Sequence, residues 1–128
     1  MRFHAIRLLV SDFQKSLHFY RDVLGFSEWH DDVQEYAYFE EQHLSLFSYN
    51  KMSPVIGGKN KPFDALLSSS KAILQFEVKN VDNAFYALKE KGISFINEPH
   101  DQKDWGSRVT HFCDPDGNMI ELYHSIRS

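Results

Sequence analysis

At 128 residues the chain is long enough for one compact domain or for two very small packed units. Fourteen Lys and Arg against eighteen Asp and Glu leave a net charge of −4, which gives no basic footprint for binding nucleic acid. Apolar residues at 42%, with 11 Phe, 6 Tyr and 2 Trp, exclude global disorder, and a single cysteine, Cys113, excludes an intrachain disulfide and every multi-cysteine zinc site.

The first residues, Met1 to Arg7, carry charges where a secretory signal needs an apolar stretch, and no apolar run reaches the roughly 20 residues that span a bilayer. The expectation is a soluble, cytoplasmic protein with no membrane partner. Residues 3–10 form an apolar run that reads as a strand, and Asp12 is a good helix cap. Phe13, Leu17, Tyr20 and Leu24 make a helical stripe over 13–24, closed by Gly25. Extended segments follow at about 26–31, 35–40 and 43–49. Residues 50–70, with Pro54, Gly57, Gly58 and Pro62, read as a connector with one helical turn near Phe63–Leu67.

The second half repeats these moves. Residues 72–78 read as a strand, Asn80 as a cap, and Val81, Phe85 and Leu88 as the stripe of a helix over 81–91 that Gly92 closes. Extended segments follow at about 93–98, 107–113 and 118–124, the last two joined by the turn Asp114-Pro-Asp-Gly-Asn118. The pattern is two tandem βαβββ modules, an α+β arrangement: module one over 1–49, a linker over 50–70 and module two over 71–128.

Phe19-Tyr-Arg-Asp-Val-Leu-Gly-Phe26 after Val10-Ser-Asp12, together with Trp105-Gly-Ser-Arg108 and Phe112-Cys-Asp-Pro-Asp-Gly-Asn-Met-Ile-Glu-Leu122, resembles the paired signatures of the vicinal oxygen chelate superfamily. That superfamily includes glyoxalase I, extradiol dioxygenases, fosfomycin-resistance enzymes and bleomycin-resistance proteins. The resemblance covers about 3–124 and implies a single domain over 1–128 whose two modules curl mixed sheets into a cup. In the enzymes that cup holds a divalent metal, with His, Gln or Glu in the first strand of each module and Glu in the last. Transferred here, the four positions are Ala5, Ser45, Ile73 and Glu121, of which only Glu121 is a usual ligand. One carboxylate falls short of the roughly six donors an oxygen-ligand site needs, so no metal and no other cofactor is expected. His4 lies one residue from the ligand position and, by alternation, on the opposite face; His43, which shares the parity of Ser45, and His111 read as surface or half-buried imidazoles.

Alternation places Ala5, Arg7, Leu9, His43, Ser45, Phe47 and Tyr49 on one face of module one. In module two it places Ile73, Gln75, Glu77, Met119, Glu121 and Tyr123 together. The candidate ligand-binding residues are Arg7, Ser45, Phe47, Gln75, Trp105, Arg108, Glu121 and Tyr123. Two readings stand for Arg7: a ligand contact, or one half of an ion pair with a carboxylate. Two also stand for the Trp105–Arg108 segment, which in bleomycin-resistance relatives lies beside the ligand groove. It is either a ligand wall, or a loop closure in which Arg108 pins Asp114 or Asp116. The 114–118 turn reads as structural and Cys113 as an inert thiol, and no nucleophile elbow, P-loop or dinucleotide glycine pattern occurs.

The function expected is a metal-free, small-molecule-binding protein of the glyoxalase/bleomycin-resistance type. The alternative is a metal-dependent glyoxalase-like lyase, or related enzyme, that uses Glu121 and recruited histidines. A homodimer is expected because half-cup sheets leave edges that need cover.

Overall fold

The computed structural model describes residues 2–56, 72–104 and 106–127, so Trp105 and the Phe63–Leu67 turn lie outside the described residues. The chain divides into two compact units, Met1–Lys71 and Ala72–Ser128.

In the first unit, β1 (Ile6–Val10) leads to α1 (Phe13–Leu17), capped where Asp12 Oδ1 accepts from the Lys15 amide at 3.1 Å. The stripe spaced for an α-helix continues only in part. From His18 to Val23 the helix takes the wider π pattern, and the Leu24 amide bonds Phe19 O, five residues back. Leu24 is therefore only half-buried, while Phe26 packs 6.2 Å from Tyr20 and 6.0 Å from Phe39. Strands β2 (Trp29–Asp31), β3 (Tyr36–Phe39) and β4 (Leu44–Ser48) complete a sheet ordered β1-β4-β3-β2, with β1 parallel to β4 and the other pairs antiparallel. The expected connector opens instead as a helix, α2 (Tyr49–Ile56), so Tyr49 leaves the strand. Val10, Phe13, Leu17, Tyr20, Phe39 and Leu46 are the buried core, whereas Ile6, at the start of the edge strand β1, is 44% exposed.

The second unit has the same order: β5 (Ile73–Glu77), α3 (Val81–Glu90), β6 (His100–Gln102), β7 (Ser107–Cys113) and β8 (Met119–Ser125), in a sheet ordered β5-β8-β7-β6. Asn80 Oδ1 caps α3 by accepting from the Asn83 amide at 2.9 Å, and Gly92 adopts the left-handed φ of +95° that ends it. The strand expected over 93–98 is not formed. In place of a regular ladder, the bridge Phe95–Phe112, the Ile96 amide to His111 O and the bonds of Asn97 tie that stretch to β7, and the regular strand begins at His100. The cause is Asn97, whose side chain takes the place of backbone: its Oδ1 accepts from the His111 amide at 2.9 Å. Leu74, Val81, Phe85, Val109, Phe112, Ile120 and Leu122 are buried.

Candidate functional site

Strand register sets one polar row across the second sheet. Gln75, Glu121 and His111 stand directly opposite one another on β5, β8 and β7. Gln75 Nε2 donates to Glu121 Oε1 at 2.8 Å, and His111 Nε2 lies 2.7 Å from Glu121 Oε2. Asn97 fixes the imidazole tautomer. Its Oδ1 is committed to the His111 amide, so its Nδ2 donates to His111 Nδ1 at 2.9 Å and the ring proton sits on Nε2, directed at the carboxylate. Glu121 is buried, and each of its oxygens receives a charge-assisted hydrogen bond. Ile73, Met119 and Cys113 form the next row on one side; Glu77, Tyr123 and Val109 form the row on the other. A polar strip bordered by mostly apolar side chains is how a small-molecule site is built.

The equivalent row of the first sheet runs Arg7, Ser45, Tyr38, Trp29 on β1, β4, β3 and β2. Beside it runs Leu9, Phe47, Tyr36, Asp31. The Arg7 guanidinium lies over Phe47 at 5.3 Å and over Tyr36 at 5.7 Å, and Tyr36 meets Phe47 and Trp29 edge-on. Ser45 is buried between Arg7 and Tyr38. Among the described residues Arg7 has no carboxylate partner, and the hydrogen-bond contact it makes there is to Met52 Sδ at 3.8 Å.

Two histidines depart from the alternation argument. His4 precedes β1, so strand parity does not bind it, and its ring stacks on Tyr38 at 5.2 Å. His43 holds a left-handed φ of +51° in the turn before β4 and is exposed. His111, read from the sequence as a stray imidazole, is the partner of Glu121; Asn97, not anticipated at all, orients it.

Arg108 pins neither Asp114 nor Asp116. Its Nε and Nη2 grip both oxygens of Asp82, in the first turn of α3, at 2.7 and 3.0 Å, and Nη1 reaches Asp101 at 3.0 Å. Asp82 and Asp101 raise the guanidinium pKa, and Arg108 holds the Asp82 carboxyl below its ordinary value of 3.8. A depressed carboxyl stabilises the fold fully above its unfolded pKa and loses that contribution as pH falls through the folded one. The pair is partly solvent-exposed, so the effect is about 1 kcal/mol or less. Arg108→Gln is expected to lower the melting temperature slightly at pH 7 and to have less effect below the carboxyl range, as followed by thermal melts from pH 7 to pH 2. Asp114 closes the β7–β8 turn: its Oδ1 accepts from the Asp116 and Asn118 amides at 2.9 and 2.8 Å.

The metal positions implied by the sequence can be judged from this geometry. Ala5 and Ile73 offer only hydrocarbon, Ser45 faces Arg7 in register, and both oxygens of Glu121 are held by N–H donors. Among the described residues, no three His, Cys, Asp or Glu side chains converge as a metal site requires. These residues do not fit the divalent ion of the superfamily's enzymes. Among the described residues, no helix is long and apolar enough to cross a membrane.

The chain is 44% identical to the uncharacterized protein YraH of Bacillus subtilis, over 98% of this chain and 100% of that protein. It is 28% identical to the bleomycin resistance protein of Geobacillus stearothermophilus, over 94% of this chain and 95% of that one. A solved glyoxalase/bleomycin resistance protein/dioxygenase from Nocardioides matches with a TM-score of 0.78 at 22% identity, a likeness of fold that covers 100% of this chain and 85% of that chain. Residues 2–122 match the model of the Glyoxalase/Bleomycin resistance protein/Dioxygenase superfamily, and the chain belongs to that superfamily.

Proposed function

We propose that this protein binds a small organic molecule and works without a resident metal ion. The observation that carries the proposal is the engagement of Glu121: the one carboxylate at a ligand position already accepts from Gln75 and His111. Within the first unit, the aromatic face around Arg7 supports the reading with flat apolar walls beside a polar group, and within the second the row through Glu121 supports it with fixed polar groups. A relative named for bleomycin resistance fits a binding role. A net charge of −4 is modest for capturing a strongly cationic drug, so the proposal does not extend to bleomycin itself. A cytoplasmic homodimer belongs to the same proposal, supported by the exposed free thiol of Cys113 and by the place of β1 and β5 as end strands of their sheets among the described residues. Light scattering that returned a monomer at micromolar concentration would remove the dimer.

A second reading, a metal-dependent lyase or related enzyme, draws on the 2.7 Å approach of His111 Nε2 to Glu121 Oε2, which brings one nitrogen and one oxygen donor together. Melting curves with added zinc, nickel, iron(II) and manganese separate the two. A ligand that binds only the native state raises its melting temperature by mass action. No rise is expected here, and a rise that Glu121→Ala abolishes would establish the second reading. In the metal-free protein Glu121→Ala leaves two N–H donors without an acceptor, so it is expected to keep the fold at a cost of about 1–3 kcal/mol. Its effect on small-molecule binding is expected to be modest.

A further inference from the structure

The two modules place different chemistry on the same row of positions. Arg7 and Gln75 each stand three residues before the valine that follows the strand's polar position, Val10 and Val78. Ser45 and Glu121 are their register partners, and Tyr38 and His111 come next across the sheet. In the second module this row is closed: the carboxylate sits in the middle and the amide and imidazole donate to it. In the first module the middle residue is a buried serine and the flanking residue is a cation. The Arg7 guanidinium presents five N–H donors, and among the described residues only a methionine sulfur at 3.8 Å receives one. Arg21 and Arg108, by contrast, both hold carboxylates.

Resting on the small-molecule proposal above, we infer that a ligand supplies an anion to Arg7: the first-module face takes a planar, conjugated organic carboxylate. The carboxylate pairs with the fork of Arg7, whose geometry matches it bidentately. The guanidinium lies 5.3 Å from the Phe47 ring centre and 5.7 Å from that of Tyr36, so two aromatic rings stand beside the charge that the carboxylate would meet. Ser45 is buried between Arg7 and Tyr38, and the row ends in Trp29, which is 62% exposed. From Arg7 to Trp29 the row crosses three interstrand spacings, about 14 Å, which accommodates a fused bicyclic ring. Aromatic side chains favour a flat conjugated body over a flexible aliphatic one.

Three probes of one shape test this: 2-naphthoate, 2-naphthamide and 2-naphthylmethylammonium, titrated calorimetrically into the wild-type protein and into Arg7→Met and Arg7→Lys. The wild type should prefer the carboxylate over the amide by about tenfold or more, the worth of one charge-assisted hydrogen bond. Arg7→Met should erase that preference by weakening the carboxylate about tenfold more than the amide, and Arg7→Lys should keep part of it. Because Arg7 is exposed, both variants are expected to fold, which circular dichroism checks. Equal binding of carboxylate and amide, a preference that survives Arg7→Met, or no binding of any probe would overturn the inference. Preferential binding of the ammonium would overturn it while leaving a small-molecule role intact, whereas stoichiometric metal in the purified protein would overturn that role.

Discussion

Phe112→Ala is expected to destabilise the protein by about 3–5 kcal/mol, the loss typical of truncating a fully buried phenylalanine. Phe112 has no exposed surface, sits opposite Ile120 on β8, and meets Phe95 edge-on at 5.1 Å; Phe95 in turn packs 4.4 Å from Phe85 of α3. The ring therefore joins three elements of the second unit, and its removal leaves a cavity that none of them can fill without moving. Folded domains hold only about 5–15 kcal/mol in total, so the variant stands near the edge of stability. Urea denaturation followed by fluorescence measures the shift, and Phe112→Leu, which keeps most of the volume, is expected to lose markedly less. Loss of under about 1 kcal/mol for the alanine would mean that the face beneath α3 is not the core.

Asp114→Ala is expected to cost about 2–4 kcal/mol. The carboxylate of this buried residue accepts from the Asp116 amide, the Asn118 amide and Asn118 Nδ2 at 2.9, 2.8 and 2.8 Å, so one truncation releases three donors. The consequence reaches beyond the turn. The 114–118 turn sets which residues of β7 and β8 face each other, and that register delivers His111 to Glu121. Asp114→Asn keeps an acceptor oxygen and is expected to recover part of the loss. Equal denaturation midpoints for Asp114→Ala and the wild type would refute the turn's role.

How much of this was readable in the chain differs from residue to residue. The repeat, the caps at Asp12 and Asn80 and the turn at 114–118 follow from local chemistry, which acts over a few residues and leaves a direct trace. The pairing of His111 with Glu121 was also within reach. Cys113 and Met119 flank the turn as a pair, and stepping two residues back on one strand and two forward on the other meets His111 and Glu121. The Asp82–Arg108 pair spans 26 residues and depends on how the first turn of α3 meets β7, which no spacing encodes. Asn97 was hidden because 93–98 reads as an ordinary strand, yet its side chain performs the backbone's bonding there. The π stretch over His18–Val23 was hidden for the opposite reason: its apolar residues keep the spacing of an α-helix.

With its oxygens accepting from Gln75 and His111, the Glu121 carboxylate is expected to hold no metal ion. Elemental analysis of the protein purified without chelator, or of the same protein dialysed against zinc, nickel, iron(II) or manganese, tests it most directly. None of these ions is expected to be retained in an amount approaching one per chain, for the wild type and Glu121→Ala alike. An equimolar, tightly held divalent ion that disappears in Glu121→Ala or in His111→Ala would contradict it.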